Sequence, residues 1–509
     1  MTTAQIGILI VMIVYLAGMM LIGVKVSNRN KTAGDFYLGG RKLGPLVTAM
    51  SAEASDMSSY LLMGLPGLAY LSGLADVGWT AIGLAAGTYL NWLIVAKKIR
   101  RYTEKIGAIT VPEFFSKRYG DKKNLLTLAG ALIIIVFFVP YTASGFAACG
   151  KLFSSLFGVN YYAAMVVSAA VIIFYTSTGG FLAASLTDLI QSIIMTAALI
   201  IVLLFALNQA GGAEAAAVNV RALPGYLSFT QSYDPVAGAA KPYGLLTIVS
   251  TLAWGLGYFG MPHILLRFMA IEDEKKLSIS RRVASIWALL AMGIAALIGV
   301  AGLGMTKEGL IAPLSGSASE TVIVEITSNL AQRGILAAMV AGIVLSGILA
   351  STMSTSDSQL LAASSSVSND ILTRFFHRDM PEAKTLLVSR VTLFVISLIA
   401  IFLAWNPDSS VFGIVSFAWA GFGAAFGPVV LLALYWRRSN GAGALAGILS
   451  GGLMVFIWKF AIRPLGGIWN IYELLPAFLI ALAVNVIVSL ITAAPDKEIT
   501  DVFDSVKSK

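Results

Sequence analysis

The sequence predicts an all-α polytopic membrane protein from three observations. Charge is scarce, apolar runs of membrane-spanning length recur along the whole chain, and basic residues cluster in alternate loops. Of 509 residues, 58% are hydrophobic and only 12% charged, with a mean hydropathy of +0.84. Soluble domains are about half apolar and about one-quarter charged. So little charge cannot face a shell of water, which leaves lipid as the solvent. The formal net charge is +9. On a soluble protein that would suggest nucleic acid; here the Lys and Arg sit in short loops between apolar runs, where membrane topology accounts for them. Cys149 is the single cysteine, and His263 and His377 are the two histidines. An internal disulfide is therefore excluded, and metal-dependent chemistry has almost no ligands. An intramembrane enzyme would need a nucleophile with its base, or a metal cluster, in one plane. The sequence offers neither, and it reads as a transporter.

Taken in order, the first run, Ile6 to Val24, has no basic residue before it and Lys25, Arg29 and Lys31 after it. A cleavable signal has the opposite charge order, so this reads as a retained span with its N-terminus outside. About thirteen runs reach spanning length: 5–24, 44–72, 77–97, 124–149, 161–179, 189–208, 246–268, 284–304, 332–364, 387–405, 411–435, 441–461 and 472–492. The expected cytoplasmic loops carry Arg41-Lys42, Lys97-Lys98-Arg100-Arg101, Lys117-Arg118-Lys122-Lys123, Lys275-Lys276-Arg281-Arg282, Arg374-Arg378-Lys384 and Arg437-Arg438, and the tail adds Lys497, Lys507 and Lys509. The outside segments hold scattered basics only: Lys151, Arg221, Lys241, Lys307, Arg333 and Arg463. This alternation fits the positive-inside rule with an odd number of spans and a cytoplasmic C-terminus. The longest outside loop, Asn208 to Tyr243, is expected to be partly ordered without forming a separate domain.

Two spans depart from the rest. The second holds Ser51-Ala52-Glu53-Ala54-Ser55-Asp56-Met57-Ser58-Ser59 at mid-membrane depth, and the seventh holds Trp254-Gly255-Leu256-Gly257-Tyr258-Phe259-Gly260-Met261-Pro262. Gly and Pro leave helical hydrogen bonds unmade, which is tolerated at that depth only where protein or a cavity covers the backbone. The breaks lie five spans apart, so the two helices cross in opposite senses, as an inverted repeat of five requires. Paired interrupted spans in corresponding positions point to a transporter binding site.

Asp56 is the first residue that carries chemistry. A carboxylate at a span centre costs about 2.5 to 3.5 kcal/mol, which a structural partner or a bound cation must offset. The ninth span supplies Ser351-Thr352-Met353-Ser354-Thr355-Ser356-Asp357-Ser358-Gln359. One or two hydroxyls in a helix usually bond back to its own carbonyls; a run this dense also suits sodium, which takes hard oxygen ligands. Ser354 and Thr355 can join backbone carbonyls freed at the break in the second span. Gly255, Gly257 and Gly260 spell GxGxxG, but a dinucleotide fingerprint needs a strand before it. Inside a span and ahead of Pro262, these glycines mark helix unwinding. Trp254, Tyr258 and Phe259 then either face a substrate or pack. His263 is expected to cap or pack, and His377 to be solvated in a basic loop.

At these residues the chain resembles the solute:sodium symporter family, most closely its bacterial sodium/proline branch. The matching segments are Leu38 to Pro45, Ala54-Ser55-Asp56-Met57-Ser58, Leu62 to Gly67, Trp254 to Leu265, and Ala420 to Pro428. The likeness runs from about residue 10 to 460. It implies a leucine-transporter-type 5+5 inverted-repeat fold, with one extra N-terminal and two extra C-terminal helices, in a bacterial cytoplasmic membrane. The whole chain, 1–509, then forms one transporter domain: an extra helix and loop at 1–43, repeats at 44–208 and 246–435, two further helices at 441–492 and a tail at 493–509. It also implies a co-transported sodium held by backbone oxygens of Ala54, Met57 and Ser351 and by hydroxyls of Ser354 and Thr355. Position 351 is alanine in the proline branch, and only its carbonyl is needed. Asp56 would support sodium-dependent binding, Ser58, Tyr141, Trp254 and Tyr258 would line the substrate site, and Phe259 joins them as a neighbouring aromatic. Arg41 and Asp188 match positions linked to coupling or gating, and Asp357 is grouped with them.

The departures from that branch cluster near the substrate. Glu53 stands where that branch has glycine, Ser59 and Tyr60 stand where it has glycine and tryptophan, and Pro140 precedes Tyr141 where an apolar non-proline residue is expected. Two close carboxylates do not both ionise cheaply without a cation beside them. The resemblance implies sodium-coupled import of proline or a similar small amino acid as the main expectation. The alternative keeps the fold and makes the cargo a cationic amino acid or polyamine paired with Glu53, or makes the coupling partly protonic.

Overall fold

The computed structural model describes residues 2–27, 32–377 and 381–507. Arg29, Lys31, Arg378 and Lys509 of the basic pattern lie outside them. Among the described residues, ten helices are long and apolar enough to cross a membrane, and one bent pair, Leu245–Gly260 with Pro262–Ala270, raises the number to eleven. Two expected spans are covered by a single element: 161–179 and 189–208 fall within one helix, Tyr161–Gln209, of 49 residues. At about 1.5 Å per residue it would extend about 74 Å, more than twice a hydrocarbon core of about 30 Å. It kinks at Gly180, whose φ of 62° and ψ of −171° are open to glycine and costly for other residues.

The expected second span is not among the ten, and it is broken. Helix Pro45–Ser59 ends in a kink at Ser58 (φ 50°, ψ −168°). A π turn, Tyr60–Gly64, follows, and then helix Leu65–Ser72. The seventh tightens into a 3₁₀ stretch at Ala253–Gly260, passes through an extended Met261, and restarts at Pro262. Pro262 occupies the first helical position, where its missing N–H costs nothing. The bend is 47°. The glycines here are needed for close approach: a Cβ on Gly257 would lie 2.0 Å from Trp419 Nε1, and one on Gly260 2.1 Å from the Phe422 carbonyl.

Helix Ile335–Ser365 runs through the middle of the bundle. It packs against Thr3–Ser27, Pro45–Ser59, Leu125–Phe157 and Tyr161–Gln209. Helix Val411–Tyr435 lies on the other side of the broken pair, against Ala253–Gly260 and the two last apolar helices. The long loop carries helix Ala213–Arg221 and a two-stranded hairpin, in which Gln231 pairs with Pro242 and Asp234 with Ala239. Tyr226 seals that loop onto the bundle by donating to the Ala69 carbonyl at 2.6 Å. The loop is thus ordered and not a domain of its own.

Candidate functional site

The two broken helices and the hydroxyl-rich helix meet at one level. Ser354 donates to the Ala54 carbonyl at 2.8 Å and to its own helix at Ser351 O, 3.2 Å. Thr355 donates to Ser351 O at 3.1 Å, and Ser351 to Ile348 O at 2.8 Å. The Ser354 bond is the one that crosses to the broken helix, from the turn just before its kink at Ser58. Ala54, Met57, Ser351, Ser354 and Thr355 are all buried. A hydroxyl that donates to a carbonyl keeps oxygen lone pairs free to accept or to coordinate.

Beside this level lies a small cavity of about 10 Å³, room for one water. Asp56, Met57, Tyr60, Leu84, Tyr141, Trp254, Val415 and Trp419 line it. Tyr258 donates its hydroxyl to Asp56 Oδ2 at 2.5 Å, while Asp56 Oδ1 has no hydrogen-bond partner among the described residues. Tyr141 donates to the Asp56 carbonyl at 3.3 Å. Trp419 donates to the Trp254 carbonyl at 2.8 Å, which fixes the 3₁₀ stretch. Trp254 stacks on Tyr60 (centroids 5.9 Å apart) and on Tyr472 (5.1 Å), with Phe412 at 5.5 Å. This aromatic layer lies between the cavity and a larger vestibule of about 390 Å³ bordered by Asp76, Lys241, Tyr243, Arg463 and Tyr472. Glu320 anchors the layer from outside. It accepts from Lys151 at 2.9 Å, from Ser410 at 3.0 Å, and from the amides of Val411 and Phe412 at 3.3 and 3.2 Å. A carboxylate there also meets the positive end of helix Val411–Tyr435.

Several residues singled out in the sequence lie elsewhere. Phe259 does not line the cavity; its Cβ sits 3.5 Å from where a Cβ on Gly427 would be, so it packs against helix Val411–Tyr435. Ser58 accepts from the Tyr60 amide at 3.1 Å and closes the kink. Ser59 is buried beside it, with no partner for its hydroxyl among the described residues. Glu53 does not line the cavity; its Oε1 accepts from Thr88 at 2.9 Å and Trp92 at 3.2 Å, and its Oε2 has no partner among the described residues. No basic side chain is bonded to it among the described residues. Arg41 is a clamp on carbonyls, those of Met269 (2.6 Å), Thr103 (3.1 Å) and Ala108 (2.6 Å). His263 packs on Phe138, ring centroids 5.6 Å apart, and His377 is exposed.

Asp188 and Asp357 meet through a residue the sequence reading passed over. Arg267 donates to Asp188 Oδ2 at 3.2 Å, to Ser51 at 3.0 Å and to Ser358 at 2.6 Å. Ser358 donates in turn to Asp357 Oδ1 at 3.1 Å. The signal was available: a lone arginine inside the seventh apolar run, one helical turn past the Gly/Pro break. Trp419, Leu84 and Val415 carried no such signal, because aromatic and aliphatic residues in a span read as packing.

A membrane bundle wrapped round two interrupted helices, with a small central cavity beside a larger vestibule, is the architecture of a secondary transporter. Family comparison agrees and is more specific. The chain belongs to the sodium:solute symporter family, whose model matches residues 36–451. A sodium/proline symporter of Haemophilus influenzae is 42% identical over 499 residues, spanning 97% of each chain. The high-affinity proline transporter of Bacillus subtilis is 40% identical over 495 residues, covering 96% of this chain and 98% of that one. Among solved structures, a sodium-coupled sialic acid symporter in a substrate-bound outward-open state superposes with a TM-score of 0.79 at 18% identity, over 96% of this chain and 99% of that one. A nucleobase-cation-symport-1 transporter in a closed conformation gives 0.52 at 14%, over 92% and 98%. These structural likenesses concern the fold, which this chain shares with both. Family membership is that of a symporter, not an enzyme.

Proposed function

We propose that this chain is a sodium-coupled symporter for proline or a closely related small amino acid, working by alternating access in a bacterial inner membrane. Sodium would sit between the carbonyls of Ala54, Met57 and Ser351 and the hydroxyls of Ser354 and Thr355. The observation that carries this assignment is the Ser354–Ala54 hydrogen bond, which joins the hydroxyl-rich helix to the broken one at the kink. An ion held there would tie the two helices together and pre-organise the unwound backbone next to Asp56. Substrate then finds a site formed mainly in the sodium-bound state, and the two affinities are linked reciprocally. Asp56, Tyr141, Trp254 and Tyr258, with Tyr60 and Trp419, form the substrate cavity in this reading. The cavity must widen to take an amino acid, so the Tyr60–Trp254–Phe412 layer is the part expected to move. One sodium crossing ~100 mV supplies about 2.3 kcal/mol, and a tenfold gradient adds about 1.4, enough together for roughly 500-fold accumulation.

The same reading takes thirteen crossings: the ten long helices, the bent pair, the broken second span, and one more from dividing Tyr161–Gln209 at Gly180. The N-terminus is then outside and the C-terminus cytoplasmic, with repeats at 44–208 and 246–435. The cationic-cargo alternative keeps one supporting observation, the buried Glu53 Oε2 without a hydrogen-bond partner among the described residues, while Oε1 accepts from Thr88 and Trp92. Uptake of labelled proline into proteoliposomes, with lysine and putrescine as competitors, tests both. Sodium-dependent uptake blocked by close proline analogues is expected. Blockade by lysine or putrescine, lost in Glu53→Gln, would favour the alternative.

A further inference from the structure

On the side of the hydroxyl-rich helix away from the broken pair lies a third hollow, a crevice of about 390 Å³ between Thr3–Ser27, Leu125–Phe157, Tyr161–Gln209 and Ile335–Ser365. Its rim includes Val159 and Val167, which are 44% and 64% exposed, and its floor includes Cys149 and Met353, both 1% exposed. The one hydroxyl in its wall, Ser168, donates to the Ala164 carbonyl at 2.8 Å. A water needs two to four polar partners, and this hollow offers only the Ser168 oxygen and the Cys149 thiol, too few to hold it filled with water. No described segment of the chain fills it. An empty crevice would leave all its walls without dispersion partners.

The surface around it decides what does fill it. The rim continues into an unbroken apolar face: Ile10 and Ile13 of the first helix are each 54% exposed and Val166 is 41% exposed. In a chain of membrane-crossing helices that face is covered by the bilayer, so the crevice is an inward extension of the lipid interface. We propose that it is a binding site for one acyl chain of a membrane phospholipid. The chain enters between Val159 and Val167 and ends on Met353. That residue stands between Thr352 and Ser354, so the acyl chain presses on the back of the turn whose front face carries Ser351, Ser354 and Thr355. Tyr15 of the first helix also meets Met353, its hydroxyl 3.9 Å from Met353 Sδ. Any shift of helix Ile335–Ser365 against its three neighbours reshapes the crevice, which links the fit of the lipid to the geometry at Ser354. The site itself rests only on placing these helices in a bilayer and stands apart from the identity of the cargo.

The test uses the full chain in proteoliposomes containing a phospholipid with a diazirine halfway along one acyl chain. After photolysis, adducts are mapped by mass spectrometry. Loosely bound surrounding lipid reaches only outward residues such as Leu398 and Ile487. A chain inside the crevice also labels Cys149 and Met353, at a yield comparable to the rim. Ala164→Trp, which fills the crevice from its wall, should cut the floor adducts at least tenfold and leave Leu398 labelled as before. Adducts on Val167, Leu398 and Ile487 with none on Cys149 or Met353 would overturn the proposal. So would floor labelling that Ala164→Trp leaves unchanged. If Ala164→Trp does not fold, the floor-to-rim ratio in the unaltered chain decides, with Ala163→Leu as the milder filling variant.

Discussion

Replacing Ser354 with alanine removes a hydroxyl that bonds to Ala54 O across the interface and to Ser351 O within its own helix. A net hydrogen bond of this kind contributes about 0.5–1.5 kcal/mol, and a bond to a charged partner about 1.5–3 kcal/mol. If Ser354 serves only packing, the variant loses about 1 kcal/mol of stability and sodium dependence stays as it was. If the hydroxyl is a ligand for sodium, the larger figure applies to ion binding. The sodium concentration for half-maximal proline uptake should then rise roughly 10- to 150-fold. The matched control is Thr352→Val, which deletes a neighbouring hydroxyl bonded at 3.1 Å to Ile348 O in its own helix. Sodium activation of uptake is measured in proteoliposomes at saturating proline, with protein quantities equalised. A shift in Ser354→Ala with none in Thr352→Val is the expected pair. Equal behaviour of the two variants would refute the reasoning, because it would make the hydroxyl that crosses to the broken helix no different from one that does not.

Tyr258→Phe removes the one hydrogen bond to the Asp56 carboxylate among the described residues. The cost of about 1.5–3 kcal/mol for a bond to a charged group should appear as a roughly 10- to 150-fold loss of proline affinity in equilibrium binding. Gly257→Ala puts a Cβ 2.0 Å from Trp419 Nε1, a clash with a ring already fixed to Trp254 O. The amount of folded protein in the membrane should fall several-fold, while Gly293→Ala, whose Cβ would meet nothing within 4 Å, should not change it. Arg267→Met leaves Asp188 buried without its ion partner. Breaking such a pair costs about 3–5 kcal/mol, so thermal unfolding in detergent should shift down sharply and recover in part when Asp188→Asn is added.

The two breaks were legible in the sequence because they contradict their surroundings: Glu53 to Ser59 is too polar for a lipid-facing span, and Trp254 to Pro262 too rich in Gly and Pro for an unbroken helix. The hydroxyl run at 351–358 was legible for the same reason, and Ser354 does meet Ala54. Side-chain direction was not legible. Glu53 and Asp56 are three residues apart, yet one reaches Thr88 and Trp92 and the other Tyr258, a division set by the neighbouring helices. Phe259 looked like a cavity aromatic from its place beside Tyr258, but adjacent residues in a tight helix point to different sides. The helix Tyr161–Gln209 hid its continuity because its kink needs only one glycine, and the polar stretch around Gly180 reads from sequence as a loop. Partners contributed by distant spans, such as Trp419 and Phe412, leave no local pattern to find.

Uptake of radiolabelled proline into proteoliposomes of the unaltered chain, with and without an inward sodium gradient, tests the central claim most directly. The account predicts concentrative uptake that needs sodium, grows with an inside-negative potential and is blocked by close proline analogues. Uptake that proceeds equally without sodium, or no proline uptake at any sodium concentration, would contradict it.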